Sequence, residues 1–532
     1  MLTQLLNLTK ESNEGDAEEM MARPTSRRGL LVGGLTAALG ATTGIAAAQN
    51  LGGSGSSGPR ALPPGAKPPG TGTFTNNASG FGNGGTSINR TWGDVKKRLL
   101  RRISYGATQQ DISEINAVGY DIYLETQLNF EDIDDSACEA QVLADVPNVN
   151  MTLQEINQLS QGNAFMGWDA AVQATIIRSV KSKRQLYQRM VEFWHDHFYV
   201  YSGTHLGVGL HYQREVIWNN AMGSFKDLLT ASANHGLMML YLDNRLSTDR
   251  NINVNYAREI LELHTVGVNG GYSEADIYEL ANIFTGWGVE TSNANLLFGS
   301  FKYTNSQHAQ GTRTVMGQSF AQAGKAQGDA AISWLASHPA TIKYIADKLS
   351  WWFLGTPASV SLFQQIAAVW GTDGDIKSVL RVILSQFNMA QVQPIFKRPF
   401  HLIVGAIRQA ESNITSAYWV YEYLKESGHS MGAWIQPDGF PDGFAYWSGG
   451  MVKRFKLMTH FSRGRLQNAP SVDLSSMNGM TDGEKMAFIN NKFFLGELPV
   501  SDQIWIRRYL KGTTNHKQAV AISLCSPSYQ WF

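Results

Sequence analysis

The sequence predicts a mainly α-helical protein: one large helical domain with a small β element, placed after an export signal and a linker rich in Gly, Ser and Pro. Apolar residues recur at intervals near 3.6 over long stretches, as they do on one face of an α-helix. These stretches are residues 167–200, 210–241, 253–264, 273–287, 328–353, 360–386 and 396–426. Strand-like alternation is scarce, and its best candidates lie at residues 289–320.

Residues 1–48 have the pattern of a twin-arginine export signal. Ser26, Arg27 and Arg28 precede an apolar run that ends in three alanines at residues 46–48. A membrane anchor is the competing interpretation, but the run is rich in Gly, Ala and Thr and poor in large aliphatic residues. We therefore expect an exported protein, periplasmic or extracellular, with no stable membrane insertion after cleavage. The twin-arginine route carries folded proteins, often with an inserted cofactor, and so favours a metal.

The predicted packed domain covers residues 91–532. Residues 49–90 carry an unpatterned Gly, Ser, Pro, Asn and Thr sequence that predicts a flexible linker. A formal net charge of zero argues against a nucleic-acid partner. With Cys138 and Cys525 as its two cysteines, the chain has no disulfide framework. P-loop, dinucleotide-binding and G-x-S-x-G motifs are absent from any strand-turn-helix setting, which excludes kinase, Rossmann and serine-hydrolase chemistry.

The segment N-Y-A-R-E-I-L-E-L-H at residues 255–264 is the strongest candidate for chemistry. On a helix, Asn255, Glu259 and Glu262 share one face. Three glycines within residues 265–271 should end this helix, so that His264 can turn back toward the two carboxylates. In the alternative interpretation, Arg258 pairs with Glu262 one turn later and His264 caps the last carbonyls.

A second candidate is F-W-H-D-H-F at residues 193–198. His195 and His197 lie about 200° apart on a helix, so they can hold one metal ion together only if the helix ends here. Three glycines within residues 199–209 favour such an end, and Asp196 would orient one ring. Alternatively, one of the two histidines is a core residue packed beside aromatic side chains.

Several motifs resemble the bacterial exported family called Domain of Unknown Function 1800. They are R-L-L-R-R-I-S-Y-G-A-T at residues 98–108, F-W-H-D-H-F at 193–198, the segments at 255–268 and 272–287, and S-P-S-Y-Q at 526–530. The resemblance implies an exported protein without an established activity, and a secreted sulfatase-like protein as a possible partner. The family pattern has a glutamate where this chain has Val254. It also has a His-Asp pair, matched here by His308 but with Ala309 in place of the aspartate.

Together, the candidates predict a divalent metal site. Its nitrogen donors would be His195, His197, His264 and His308. Glu259 and Glu262 would be oxygen ligands or the general acid and base, with Arg258 as a third catalytic residue. Zinc is the first expectation, because zinc-bound water becomes a hydroxide near neutral pH, and the reaction would be hydrolysis of an extracellular or envelope polymer such as a glycan. Copper or iron, with oxidation as the reaction, is the second.

A metal-free alternative uses Glu259 and Glu262 as the carboxyl groups of a glycosidase or lyase. Asn255 would contact the substrate beside them. The aromatic residues at 434–447 could stack on sugar rings or could plug the core; the substrate-binding candidates among them are Trp434, Tyr446 and Trp447. A rival from another class is a non-catalytic surface or assembly protein, in which every one of the histidines would be doubly hydrogen-bonded.

Overall fold

Helices joined by short loops build the protein, and the predicted mainly α fold with a small β element is confirmed. The computed structural model describes residues 93–159, 166–201, 203, 206–292, 296–414, 416–464, 471–510 and 516–532. All of these residues fall in one compact unit spanning residues 81–532. The predicted signal at 1–48 and the predicted linker at 49–90 lie outside the described residues.

The first half of the described chain runs through twelve α-helices. They are α1 (Val95–Ile103), α2 (Gln109–Val118), α3 (Tyr120–Leu128), α4 (Ser136–Asp145), α5 (Leu153–Leu159), α6 (Met166–Lys181), α7 (Gln185–His197), α8 (Gly209–Tyr212), α9 (Phe225–Ala233), α10 (Gly236–Tyr241), α11 (Asn255–Glu259) and α12 (Glu274–Ile283). Two π-helical segments continue α8 and α11, at Gln213–Ile217 and Ile260–His264. Such π segments are rare and often mark functional sites.

The second half holds the remaining α-helices. They are α13 (Lys325–Ser337), α14 (Pro339–Leu354), α15 (Val360–Trp370), α16 (Ile376–Ile383), α17 (Gln386–Met389), α18 (Pro399–Gln409), α19 (Ala417–Glu426), α20 (Phe444–Trp447), α21 (Met451–Arg463), α22 (Asp482–Phe494), α23 (Val500–Leu510) and α24 (His516–Cys525). Among the described residues, none of the helices combines the length and apolar character needed to cross a bilayer.

The small β element consists of two antiparallel hairpins between α12 and α13. Strand β1 (Trp287–Val289) pairs with β2 (Phe301–Tyr303), with Gly288 opposite Lys302. Strand β3 (Arg313–Val315) pairs with β4 (Gln318–Phe320), with Thr314 opposite Ser319. Strands β2, β3 and β4 lie within residues 289–320, where alternation predicted strands, and β1 begins two residues before that range.

Capping groups divide the long helical patterns into shorter helices. Between α6 and α7, Asp135 accepts hydrogen bonds from the Ser182 hydroxyl (2.7 Å) and the Lys183 backbone N–H (2.8 Å), which holds the chain in a turn. Ser224 caps α9, and Pro339 opens α14 at a position where its missing N–H costs nothing. The periodicity therefore predicted the helical faces, and the caps set where each helix ends.

Two helices, α7 and α18, cross the core and are almost completely buried. Every residue of α18 is buried, and in α7 only Tyr187 and Asp196 are not. The two helices are joined by a buried hydrogen bond, since Glu192 of α7 accepts from His401 of α18 at 2.9 Å. Within α7, Glu192 also accepts from Arg189 at 3.1 Å. The C-terminal end of α7 thereby has a fixed position, and the candidate histidines lie on it.

Candidate functional site

Helix α7 ends at His197, within the F-W-H-D-H-F motif, as the glycines at residues 199–209 favoured. Both histidines nevertheless lie on its last turn, so the helix ends too late for them to converge. Gln213 lies on the first π-helical segment, and its Oε1 is 2.9 Å from His195 Nδ1. His264 lies on the second π-helical segment, and its carbonyl oxygen is 3.1 Å from His197 Nε2. The helix keeps the two imidazoles on different sides, because residues two apart point about 200° away from each other.

Three of the candidate imidazoles keep one buried ring nitrogen that has no hydrogen-bond partner among the described residues. These atoms are His195 Nε2, His197 Nδ1 and His264 Nε2. Burial lowers the pKa of all three rings, and with a smaller effect of Lys348 it lowers the pKa of His264 to about 3. At neutral pH the rings are therefore uncharged. Since His197 Nε2 donates to a carbonyl, its Nδ1 carries a lone pair that is free to bind an electrophile.

The histidines do not by themselves form a three-ligand site. The ring centroids of His197 and His264 lie 6.2 Å apart. His308 lies by the β hairpins, where its Nδ1 is 3.1 Å from the Thr285 carbonyl oxygen. In the part of the chain that the structure describes, the group with three ligand atoms within 4.8 Å of one another is Asp135, Cys138 and Glu139, and the candidate histidines are not in it.

His264 lies apart from the charged face formed by Glu259 and Glu262 on α11 and the π-helical segment that follows it. Helix α11 passes directly into the π-helical segment, and the chain leaves helical geometry at Thr265, as the three glycines predicted. His264 is 2% exposed and packs 5.1 Å from the ring of Phe198. It is therefore inside the core and does not turn back toward Glu259 and Glu262. The interpretation of His264 as a partner of these carboxylates is wrong, because the helix does not unwind before it.

Arg258 pairs with Glu262, as the alternative interpretation predicted. Its Nη1 lies 3.3 Å from Glu262 Oε1, and its Nη2 lies 2.7 Å from Glu274 Oε2. Burial and the nearby Glu262 carboxylate raise the pKa of Tyr272. The charge of Glu262 is matched by that of Arg258, which is typical of a supporting residue.

Glu259 differs from its neighbour because it forms no hydrogen bond or ion pair with any described residue. Its side chain is half-buried. Burial raises the pKa of its carboxyl, the negative charges of Glu262 and Asp438 raise it further, and Arg258 opposes them; the result is a pKa of about 7. A carboxyl with this pKa is protonated in a large fraction of molecules at neutral pH and can donate a proton.

The loop at residues 430–447, called the aromatic loop below, is anchored to the end of α7. The buried guanidinium of Arg398 binds both Asp196 of α7 and Asp442 of the loop, and donates to the Phe440 carbonyl at 3.2 Å. Gly439 has a φ of +75°, and a Cβ there would lie 2.3 Å from the Asp196 carbonyl oxygen, so only glycine fits. This anchoring holds Asp438 near Glu259.

Asp438 and Tyr241 complete the surroundings of Glu259, and the charge of Lys348 acts on Asp438; sequence reasoning missed all three. Asp438 Oδ1 accepts a hydrogen bond from the Trp434 indole at 2.8 Å. The Tyr241 hydroxyl donates to the Ile435 carbonyl at 2.8 Å, and the charges of Glu259 and Asp438 raise the pKa of Tyr241 after burial has raised it. The signal that could have found Asp438 is the repeated P-D-G-F at residues 437–440 and 441–444.

The substrate candidates divide into exposed and buried side chains. Tyr446 is 48% exposed and Trp434 is half-buried, with 5.7 Å between their ring centroids at an angle of 84°. Trp447 is 4% exposed and packs against His429 at 4.8 Å, so it plugs the core. Asn255 is half-buried at the start of α11, one turn before Glu259.

The comparisons with known proteins identify a family. The model of the family described as "Protein of unknown function (DUF1800)" matches residues 98–531, and the chain therefore belongs to this family. No curated protein matches the chain. No solved structure matches it either.

Proposed function

We propose that this protein is an exported hydrolase that cleaves an extracellular or envelope polymer, a glycan in the first place, with Glu259 as its general acid. The observation that carries the proposal is the carboxyl group of Glu259. It is half-buried, lacks a hydrogen bond to any described residue, has a pKa of about 7, and is electrostatically coupled to a second carboxylate on an aromatic loop. Perturbed carboxyl groups of this kind are concentrated at active sites.

In the proposed reaction, Glu259 donates its proton to the leaving oxygen as the glycosidic carbon–oxygen bond breaks. Asp438 takes a proton from the water molecule that forms the new bond to that carbon. Tyr241 contributes a polar group beside both carboxyls, and Lys348 contributes a positive charge that acts on Asp438. Burial, followed by the negative charge of Glu262, favours the protonated form of Glu259, and Glu262 also holds Arg258.

Exposed aromatic rings support a glycan as the substrate. Sugar rings present flat apolar faces that stack on aromatic side chains, while their hydroxyls bind polar groups. Trp434 and Tyr446 form such a surface, and the Trp434 indole is bonded to the proposed base Asp438. Binding of a sugar on these rings would bring it to the two carboxyls.

A metal-assisted hydrolase is a second candidate. It is favoured by the ring nitrogens of His195, His197 and His264 that have no hydrogen-bond partner among the described residues. The non-catalytic alternative expects doubly hydrogen-bonded histidines, and these three rings differ from that expectation. A zinc ion bound by two of these histidines and by a water molecule would supply a hydroxide nucleophile. Copper or iron would supply oxidation chemistry instead. The metal remains a prediction.

The test combines a substrate screen with elemental analysis. The full-length protein, expressed with its signal and purified without a chelator or a polyhistidine tag, is assayed for release of reducing ends from peptidoglycan and from a panel of polysaccharides. We expect Glu259→Gln and Asp438→Asn to lower the rate by about 10²- to 10⁴-fold. Glu262→Gln, in the same helix, is the matched control and should retain more activity than either.

The metal content separates the two candidates. Stoichiometric zinc, copper or iron that disappears in a His197→Ala, His264→Ala double variant would select metal-assisted chemistry. A metal-free sample with full activity would support the carboxyl mechanism. If the unmodified enzyme and Glu259→Gln cleave an identified substrate equally fast, Glu259 is not the acid and the proposal fails.

A further inference from the structure

Lys348 lies on the face of α14 that packs against the end of α7. Tyr344, Lys348 and Trp352 follow one another at intervals of four residues, so they share one face of α14. The ring of Tyr344 lies 6.2 Å from the ring of His197. One turn further along each helix, the ring of Trp352 lies 5.8 Å from the ring of Phe193. Because Lys348 lies between these two contacts, the packing of the helices places it at the last turns of α7.

The aromatic loop is held against the same face of α14. The guanidinium of Arg398, which binds Asp442 of the loop, lies 5.1 Å from the ring centroid of Trp352. Burial raises the pKa of Asp438 in this loop, and the positive charge of Lys348 opposes that rise. Helix packing and electrostatic coupling therefore agree that Lys348 lies beside the loop that carries Asp438.

The ammonium group of Lys348 has no counter-ion in contact with it among the described residues. It forms no hydrogen bond or ion pair with any of them, and it lies 5.4 Å from the ring centroid of Tyr344. Burial, and after it the charge of Lys348, lowers the pKa of His197 and of His264, so both rings are uncharged at neutral pH. Lys348 is half-buried. Charged groups that are withdrawn from water are normally paired, so this lysine favours the binding of an anion.

We propose that Lys348 binds a negatively charged substituent of the substrate, and that the protein therefore selects an acidic glycan over a neutral one. This inference rests on the proposed hydrolase function. A carboxylate or a sulfate ester on a sugar ring supplies the required charge. The ring of Trp434, whose indole donates to Asp438, would contact the face of the sugar, while Lys348 attracts its charged substituent. Because bound substrate displaces water, the attraction between ammonium and anion becomes stronger.

Calorimetric titration of the full-length protein with three sugars tests the proposal. Methyl glucoside is neutral, methyl glucuronide carries a carboxylate, and methyl glucoside 6-sulfate carries a sulfate ester. We expect saturable binding of at least one of the two anionic sugars, with an affinity about tenfold or more above that of methyl glucoside. Comparison of the two anionic sugars shows which charged group the site accepts. The unmodified protein is used, so this result does not depend on the folding of any variant.

Variants then assign the preference to Lys348. Lys348→Met should reduce the preference for the anionic sugar to about threefold or less, and Lys348→Arg should retain much of it, because it keeps the charge. Lys425→Met is the matched control. Lys425 also follows a tyrosine by one turn, 4.7 Å from the Tyr421 ring centroid, but it is paired with Glu422 on the surface. This control should keep the preference of the unmodified protein.

The role of Lys348 and the hydrolase function can fail separately. Absence of saturable binding of either anionic sugar, equal affinity for charged and neutral sugars, or an unchanged preference in a folded Lys348→Met protein would each overturn the role of Lys348, even if a polymer is cleaved. Selective binding that depends on Lys348, in a protein that cleaves none of the polymers, would support the anion site and refute the hydrolase.

Discussion

Replacement of Glu259 by glutamine should make the protein more stable above pH 7 while it removes the proposed activity. The folded state raises the pKa of this carboxyl from 4.5 to about 7. The folded protein therefore binds the proton more tightly than the unfolded chain does. The stability contributed by the protonated Glu259 carboxyl is fully present below pH 4.5, and it is lost as the pH rises through about 7. Glutamine has the shape of the protonated carboxyl and does not ionise.

The size of the effect follows from the difference in pKa. At about 1.36 kcal/mol per pH unit, the ionised carboxylate would cost the folded state about 3 kcal/mol at pH 8. Because the side chain is half-buried, solvent screening reduces this to about 1–2 kcal/mol. In a chain of this size, the Tm of Glu259→Gln should be higher than that of the unmodified protein by about 1–3 °C at pH 8.

Differential scanning calorimetry at pH 5 and pH 8 measures this difference. The gain should be much smaller at pH 5, where the folded carboxyl is still protonated. Glu274→Gln is the control, because it removes an ion pair of Arg258 without removing a charge that acts on Glu259, and it should lower stability slightly at both pH values. The reasoning is refuted if Glu259→Gln has no higher Tm at pH 8, or has the same advantage at both pH values.

Three further predictions concern the site and its anchoring. If Glu259 donates a proton, kcat on an identified substrate should fall tenfold per unit as the pH rises above about 7, because the acid form is lost; a rate that increases through pH 7 would exclude this role. Arg398→Gln should lower the free energy of unfolding by about 3–5 kcal/mol in denaturant titrations, since it removes a buried guanidinium and leaves the Asp196 carboxylate, whose side chain is 15% exposed, without its cation; Lys425→Gln on the surface should change it little. Gly439→Ala should lower the free energy of unfolding by about 1–3 kcal/mol in the same assay, because a Cβ there collides with the Asp196 carbonyl oxygen at a positive φ. The control is Gly428→Ala, which should lower it less, because Gly428 also has a positive φ but has open space around it.

The histidines illustrate how far local sequence reasoning can reach. Their types and spacing indicated a site, but whether His195 and His197 converge depends on where α7 ends. The helix continues to residue 197, where its last turn is packed against the second π-helical segment. The helix ends just after this residue, as the glycines at residues 199–209 favoured, but His195 and His197 both lie on helical backbone and therefore point apart.

The ion pair of Arg258 with Glu262 could be predicted, whereas the electrostatic effect of Asp438 on Glu259 could not. The first joins residues one helical turn apart, so the spacing alone brings them together. The second depends on the anchoring of the aromatic loop by Arg398 and Gly439 to the end of α7. No spacing along the chain relates Asp438 to Glu259.

The sequence by itself determined the mainly helical fold, the position of the small β element, the family and the helix that carries Glu259. These features depend on periodicity, caps and motifs, which act over a few residues. Only the tertiary structure decided which carboxyl remains without a partner, which histidines are buried and which aromatic rings are exposed. Burial and electrostatic coupling arise between residues far apart in the chain, and they set the pKa values on which the proposed chemistry depends.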